Sequence, residues 1–126
     1  MPKIFNLRMT NLWVDTTQGL TDKMKKLVNE KVEIIKNDPF SSECLEGALE
    51  GLWSYNRFKT DNRIIFAICE DCRIRKLVKL NNCIGCENFS NETIMLWAFG
   101  SHDLYDKLGR QREKTWKKVK KKNRKR

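Results

Sequence analysis

The residues best suited to chemistry are cysteines set in two pairs. Cys69-Glu-Asp-Cys72 and Cys83-Ile-Gly-Cys86 are C-x2-C pairs separated by ten residues. A tetrahedral zinc takes four soft ligands at about 2.3 Å, and two such knuckles supply them with little backbone strain. Gly85 suits the tight turn of the second pair. Four thiolates close the coordination sphere, so the expected cofactor is one structural Zn2+, not a catalytic ion that keeps a place for water. Two disulfides are the alternative, which reducing conditions oppose. Between the pairs lie Arg73, Arg75, Lys76 and Lys79 and no acid. This basic tip is read either as solvated surface or as a nucleic-acid contact. Cys44 reads as an ordinary buried thiol.

The other reactive candidate is the single histidine, His102, in Gly100-Ser-His-Asp-Leu-Tyr105. An unperturbed imidazole titrates near 6.5, which makes it the natural proton-transfer group. It falls just past an apolar run, where a strand end opens into a helix and holds side chains firmly yet within reach. Arg57, Lys59 and Arg63 flank a turn, and Tyr105 follows His102 by three residues. An arginine beside the apolar run Ile64-Ile65-Phe66 is costly unless it meets solvent or an anion, so Arg63 is a phosphate-binding candidate. A salt bridge to Glu46 or Glu50 is the structural alternative. No glycine-rich phosphate loop, nucleophile elbow, paired-carboxylate or HExxH pattern is present.

Charge separates the chain into two parts. Of the net +10, residues 107–126 carry +11, with twelve Lys or Arg against Glu113, and residues 1–106 carry −1. We therefore divide the chain into a body, 1–106, including a zinc loop over 69–86, and a basic C-terminal helix or tail, 107–126. The tail, with Lys117 and Lys118, favours a polyanion through counterion release. Trp116 and Val119 make too poor an apolar face for a membrane surface. With 40% apolar residues the body can bury a core. The longest apolar runs, Ile64–Cys69 and Ile94–Phe99, fall far short of the roughly 20 residues that span a bilayer. The first residues lack a signal-type apolar stretch, so the expected location is cytoplasmic.

The elements that must position these groups follow from periodicity. Ile4 to Met9 reads as a strand, and Asn11 to Gly19 as turn and capping residues. Leu20, Met24, Leu27, Val28, Lys31, Ile34 and Ile35 recur at helical spacing, ending at Asn37-Asp38-Pro39. Ser42 to Glu50 is a short helix or an irregular connection. Leu52 to Arg57 and Arg63 to Cys69 form a hairpin across Lys59-Thr60-Asp61-Asn62. Thr93 to Phe99 is apolar on both faces, as a central strand should be, and a last helix starts at His102 or Asp103. The fold class is α+β: a small twisted antiparallel sheet with N-terminal helices and a C-terminal helix, the four-cysteine zinc knuckle loop lying between the last two strands.

Taken in order, Asn37-Asp-Pro39, Leu45-Glu-Gly-Ala-Leu-Glu-Gly-Leu-Trp-Ser-Tyr-Asn-Arg57, Asp61-Asn-Arg-Ile-Ile-Phe-Ala-Ile68 and Phe99-Gly-Ser-His-Asp-Leu-Tyr105 resemble the RelE/ParE superfamily of type II toxins. The resemblance covers about residues 20–108. It implies a ribosome-dependent mRNA endonuclease neutralised by a cognate antitoxin protein, with the ribosome and mRNA as its other partners and no membrane role. Cleavage in the RelE branch is acid–base chemistry without metal: the ribose 2′-hydroxyl attacks the adjacent phosphate. The matching positions imply Arg63 on the phosphorane charge and His102 as general base or acid. Tyr105 would be a second proton donor or a stacking platform, and Arg57 and Lys59 would hold phosphate. The chain departs from the pattern in its paired-cysteine insertion, in Phe66 where a tyrosine is usual, and in having one histidine. A non-catalytic zinc-ribbon module binding RNA or DNA, and a ParE-like gyrase inhibitor, are the rival readings.

Overall fold

The computed structural model describes residues 5–77 and 89–124. Lys79, Cys83 and Cys86 lie outside the described residues, and with them half of the expected zinc site.

The chain begins with β1 (Asn6–Met9) and passes through α1 (Asn11–Thr17) and α2 (Asp22–Asn37). A 3-10 turn at Pro39–Ser41 leads to the two-residue strand β2 (Glu43–Cys44), and a second at Gly47–Leu49 precedes β3 (Trp53–Tyr55) and β4 (Arg63–Ile68). Then come α3 (Cys69–Ile74), β5 (Thr93–Gly100) and the long α4 (Asp103–Arg124). The five strands lie in the order β1-β5-β4-β3-β2. Four are antiparallel neighbours, whereas β1 runs parallel to β5. The sheet is thus mixed, since alternation of apolar residues reports which face is buried and is silent on strand direction.

Alternation along β4 assigns the two faces. Ile64, Phe66 and Ile68 meet Trp13, Val28, Val32 and Ile35 of α1 and α2. Ile65 and Ala67 face the other way, toward Leu104 and Leu108 of α4. At roughly 1.5–3 kcal/mol for each large apolar side chain fully buried, these two layers supply most of the favourable free energy of folding. The register between β4 and β5 slips between Ile65 and Phe66: Ile65 pairs with Ala98 and Phe66 with Leu96. Trp97 is the extra residue of a bulge. It and Ala98 therefore both pack on the α4 side, while Leu96 and Phe99 pack on the α2 side.

Residues 11–17, expected as turn, form a helix. Thr10 Oγ1 caps it by accepting from the Trp13 amide at 3.1 Å, and Trp13 is buried. Local propensity is poor here, so burial and the cap decide. α1 also takes over where β1 ends. Thr10 Oγ1 donates to the Trp97 carbonyl at 2.8 Å, and the Phe99 amide donates to Thr16 Oγ1 at 3.1 Å. Two threonine hydroxyls thereby satisfy backbone groups that a longer strand would have paired. α2 is rotated from the expected stripe: Val32 is buried and Ile34 is 48% exposed.

α4 runs through position 106 without a break, about 33 Å at 1.5 Å per residue. Its inner face continues from Leu104 and Leu108 to Arg112, which is only 5% exposed. Arg112 Nε donates to the Ala48 carbonyl at 2.9 Å and Nη2 to the Glu50 carbonyl at 2.6 Å, and the guanidinium lies over Trp97. A charge this deep persists because its donors are met. It locks α4 against the second 3-10 turn and so fixes the orientation of the helix's first turn.

Candidate active site

Arg63 opens β4 and, by the alternation that sends Ile65 and Ala67 toward α4, projects to the same side, opposite Gly100. It is 9% exposed. Its Nη2 donates to Asp61 Oδ1, and its Nη1 lies 3.3 Å from His102 Nδ1. The Tyr105 ring sits beneath the guanidinium at 4.5 Å, a cation–π contact. The Arg63 Nε is buried and meets no acceptor among the described residues.

The start of α4 brings its own partners to this point. The His102 amide donates to Asp61 Oδ2 at 3.2 Å, so one carboxylate holds both the arginine and the backbone that carries the histidine. The His102 and Tyr105 rings meet edge to face at 5.3 Å. The Tyr105 hydroxyl turns inward and donates to Ser54 Oγ at 2.6 Å, where Ser54 is 1% exposed. His102 itself is exposed, so the cluster has a buried floor and an open rim. A guanidinium, an imidazole and a flat aromatic ring at one rim suit an anion attached to a ring-bearing residue, as in a nucleotide.

Three expected site residues thus converge, whereas the others lie apart from them. Arg57 is exposed and lines a hollow of about 290 Å³ with Ile34, Ser42, Glu43, Ser54 and Asn56. Lys59 is exposed in the loop between β3 and β4. The expected basic tip differs from a free cationic surface. Arg73 donates to Asn91 Oδ1 and to the Phe89 carbonyl, both at 2.6 Å. Arg75 pairs with Asp71 at 2.9 Å, and the same Asp71 oxygen accepts from Trp53 Nε1 at 3.0 Å. Burial lowers the Arg75 pKa, but the hydrogen bond and charge of Asp71 more than reverse this, leaving it above its ordinary value. Lys76 is exposed, with a left-handed φ of 58° where α3 ends. Lys117 and Lys118 are exposed on α4.

Cys69 and Cys72 fall three apart on α3, both buried, which puts their side chains on one helix face. Cys72 Sγ donates to the Gly51 carbonyl at 3.9 Å. The pair fits half of a tetrahedral sulfur set, and no group of three ligating side chains occurs among the described residues. Cys44, expected to be buried, is exposed on the edge strand β2.

Three contributors to the site were missed by sequence reasoning. Asp61 was readable, since a residue two before Arg63 shares its face when the strand is continued. Ser54 depends on the cross-strand register that sets it opposite Ile65. Arg112 continues the four-residue spacing of Leu104 and Leu108, but its charge hides it from an apolar stripe.

No family model matches the sequence, and no curated protein is significantly similar to it. Among solved structures, the chain is similar to one from the toxin–antitoxin complex RelBE2 of Mycobacterium tuberculosis. The match has a TM-score of 0.56 at 14% identity, and covers 79% of this chain and all of the other. The fold is RelE-like. At that identity the likeness speaks for architecture alone, and any activity must be argued from the Arg63 cluster. Among the described residues, no helix is long and apolar enough to cross a membrane.

Proposed function

We propose that this protein is the toxin of a type II toxin–antitoxin pair and cleaves ribosome-bound mRNA in the cytoplasm. The observation that carries the reading is the convergence of Arg63, His102 and Tyr105 at one rim of a RelE-like fold. In the reaction the ribose 2′-hydroxyl attacks the adjacent phosphorus and the P–O5′ bond breaks. The ends left are a 2′,3′-cyclic phosphate and a 5′-hydroxyl; the attacking oxygen gives up a proton and O5′ takes one up. Arg63 meets the negative charge that grows on the phosphorane, where one well-placed donor is worth about 10²–10³ in rate. His102 serves the hydrogen-bonding side of the proton movements, and the Tyr105 ring supports Arg63. Arg57 and Lys59 hold flanking phosphates, and the basic end of α4, with Lys117 and Lys118, holds the ribosomal polyanion.

The partner that restrains the toxin is a cognate antitoxin protein. Cys69 and Cys72, together with Cys83 and Cys86, hold one structural zinc that ties the segment after β4 to the approach to β5. Such an ion contributes to folding and leaves the reaction to side chains. Purified protein should contain one zinc per chain by elemental analysis; Cys83→Ser should abolish it and lower the melting temperature.

Mapping mRNA 5′ ends after brief induction tests the function. New 5′-hydroxyl ends within translated regions should appear with the wild type and vanish with Arg63→Ala. Intact mRNA under the wild type, in cells whose growth stops, would overturn the ribonuclease reading.

A further inference from the structure

An arginine has only donors to offer. Its contact with His102 Nδ1, at 3.3 Å, is therefore a hydrogen bond only if Nδ1 is the acceptor. A neutral imidazole with Nδ1 accepting carries its hydrogen on Nε2. The arginine in turn is aimed by Asp61, whose Oδ1 takes Nη2 while Oδ2 takes the His102 amide. Tyr105 closes the arrangement from below, its ring under the guanidinium and its hydroxyl fixed on Ser54.

We propose that Asp61 is a positioning residue which, through Arg63, holds His102 as its Nε2–H tautomer. The exposed nitrogen of the ring is then a donor. Against the phosphate group of the reading above, on which only this consequence rests, His102 gives a hydrogen bond to the leaving O5′ or to a phosphoryl oxygen, and no proton leaves the ring. It does not accept the 2′-hydroxyl proton while Arg63 occupies Nδ1. The assignment differs from a general base, whose free nitrogen must be unprotonated. A neutral imidazole used as an electrophile, with its tautomer fixed by what binds the other nitrogen, is a known device.

His102 is the only histidine in the chain, so its ring nitrogens give a single set of nuclear magnetic resonance signals. Long-range proton–nitrogen correlation on the uniformly 15N-labelled protein, without RNA and in buffer alkaline enough for imidazoles to be neutral, reads the tautomer directly. Wild type should show a protonated Nε2, coupled to both ring carbon hydrogens, and an unprotonated Nδ1. Asp61→Asn keeps the size of the side chain but weakens its hold on the guanidinium. It should move both nitrogen shifts toward the averaged values of a free imidazole, with the backbone amide spectrum otherwise retained. Arg63→Lys, which lacks the fork, should do the same. A wild type with its hydrogen on Nδ1 would overturn the proposal. So would an Asp61→Asn spectrum in which His102 is unchanged. No RNA is present, so neither result can be confused with a failure of the ribonuclease reading.

Discussion

Arginines stand near both ends of β4, and they have opposite fates. Arg63 opens the strand on the α4 side, shares its donors with one carboxylate and an exposed imidazole, and keeps a buried Nε that no described acceptor meets. Arg75 lies past the other end, on the residue that closes α3. Its guanidinium donates through Nε and Nη2 to the same Asp71 oxygen, at 3.2 and 2.9 Å. The first has donor capacity facing an opening, whereas the second spends it on a partner four residues away. Residue type and proximity to a strand end are alike, so neither separates a reactive arginine from a structural one. The difference is whether the surrounding backbone and carboxylates leave a charge-assisted donor available to something that arrives.

Substitutions can break this contrast or sharpen it. The largest effect is expected from Arg63→Ala, which should lower single-turnover cleavage by about 10²–10³-fold with little change in melting temperature. Next, Arg112→Ala removes the buried clamp on α4 and leaves the Ala48 and Glu50 carbonyls unmet. Denaturant unfolding should show a loss of about 3 kcal/mol. Tyr105→Phe keeps the ring beneath Arg63 but strands the Ser54 hydroxyl. It should cost about 1–2 kcal/mol in the same measurement and less than tenfold in cleavage, since a hydroxyl turned inward is not a proton donor to substrate. A loss as large as that of Arg63→Ala would restore Tyr105 as a proton donor. Smallest is Arg75→Ala. A partly exposed pair four residues apart should cost about 0.5–1 kcal/mol, and cleavage per folded molecule should stay at the wild-type rate. A tenfold fall in that rate would erase the distinction between the two arginines.

Much of the frame was legible in the residues, for reasons that also mark where legibility stopped. The hairpin and the central strand announce themselves because Ile64 to Ile68 and Ile94 to Phe99 are buried on both faces, and continuous apolar runs survive any error in register. The convergence of Arg63 with His102 was open to inference from motif order, as both sit where the central strands meet α4. The parallel pairing of β1, by contrast, leaves no trace in alternation. The helix at Asn11–Thr17 is hidden because its stability comes from Trp13 and from hydroxyls that reach β5, contacts between residues more than eighty positions apart. Arg73 and Arg75 looked like a free basic tip because their acceptors are a carbonyl, an amide and a carboxylate whose nearness is a product of folding.

The bulge at Trp97 has a consequence for which sequence lengths this fold tolerates. By doubling two residues on one face, it sets the phase in which β5 delivers Gly100, Ser101 and His102 to α4. An in-frame loss of one codon between Leu96 and Phe99 would leave every hydrophobic residue downstream intact in kind, yet reverse the side of the sheet on which the strand's end emerges. Losing two codons would keep the side while shortening the reach. In a deletion scan of the gene, growth arrest on induction should therefore fail for single-codon losses here. It should tolerate far better a single-codon loss in the exposed Lys59–Thr60 stretch, where no face is being counted.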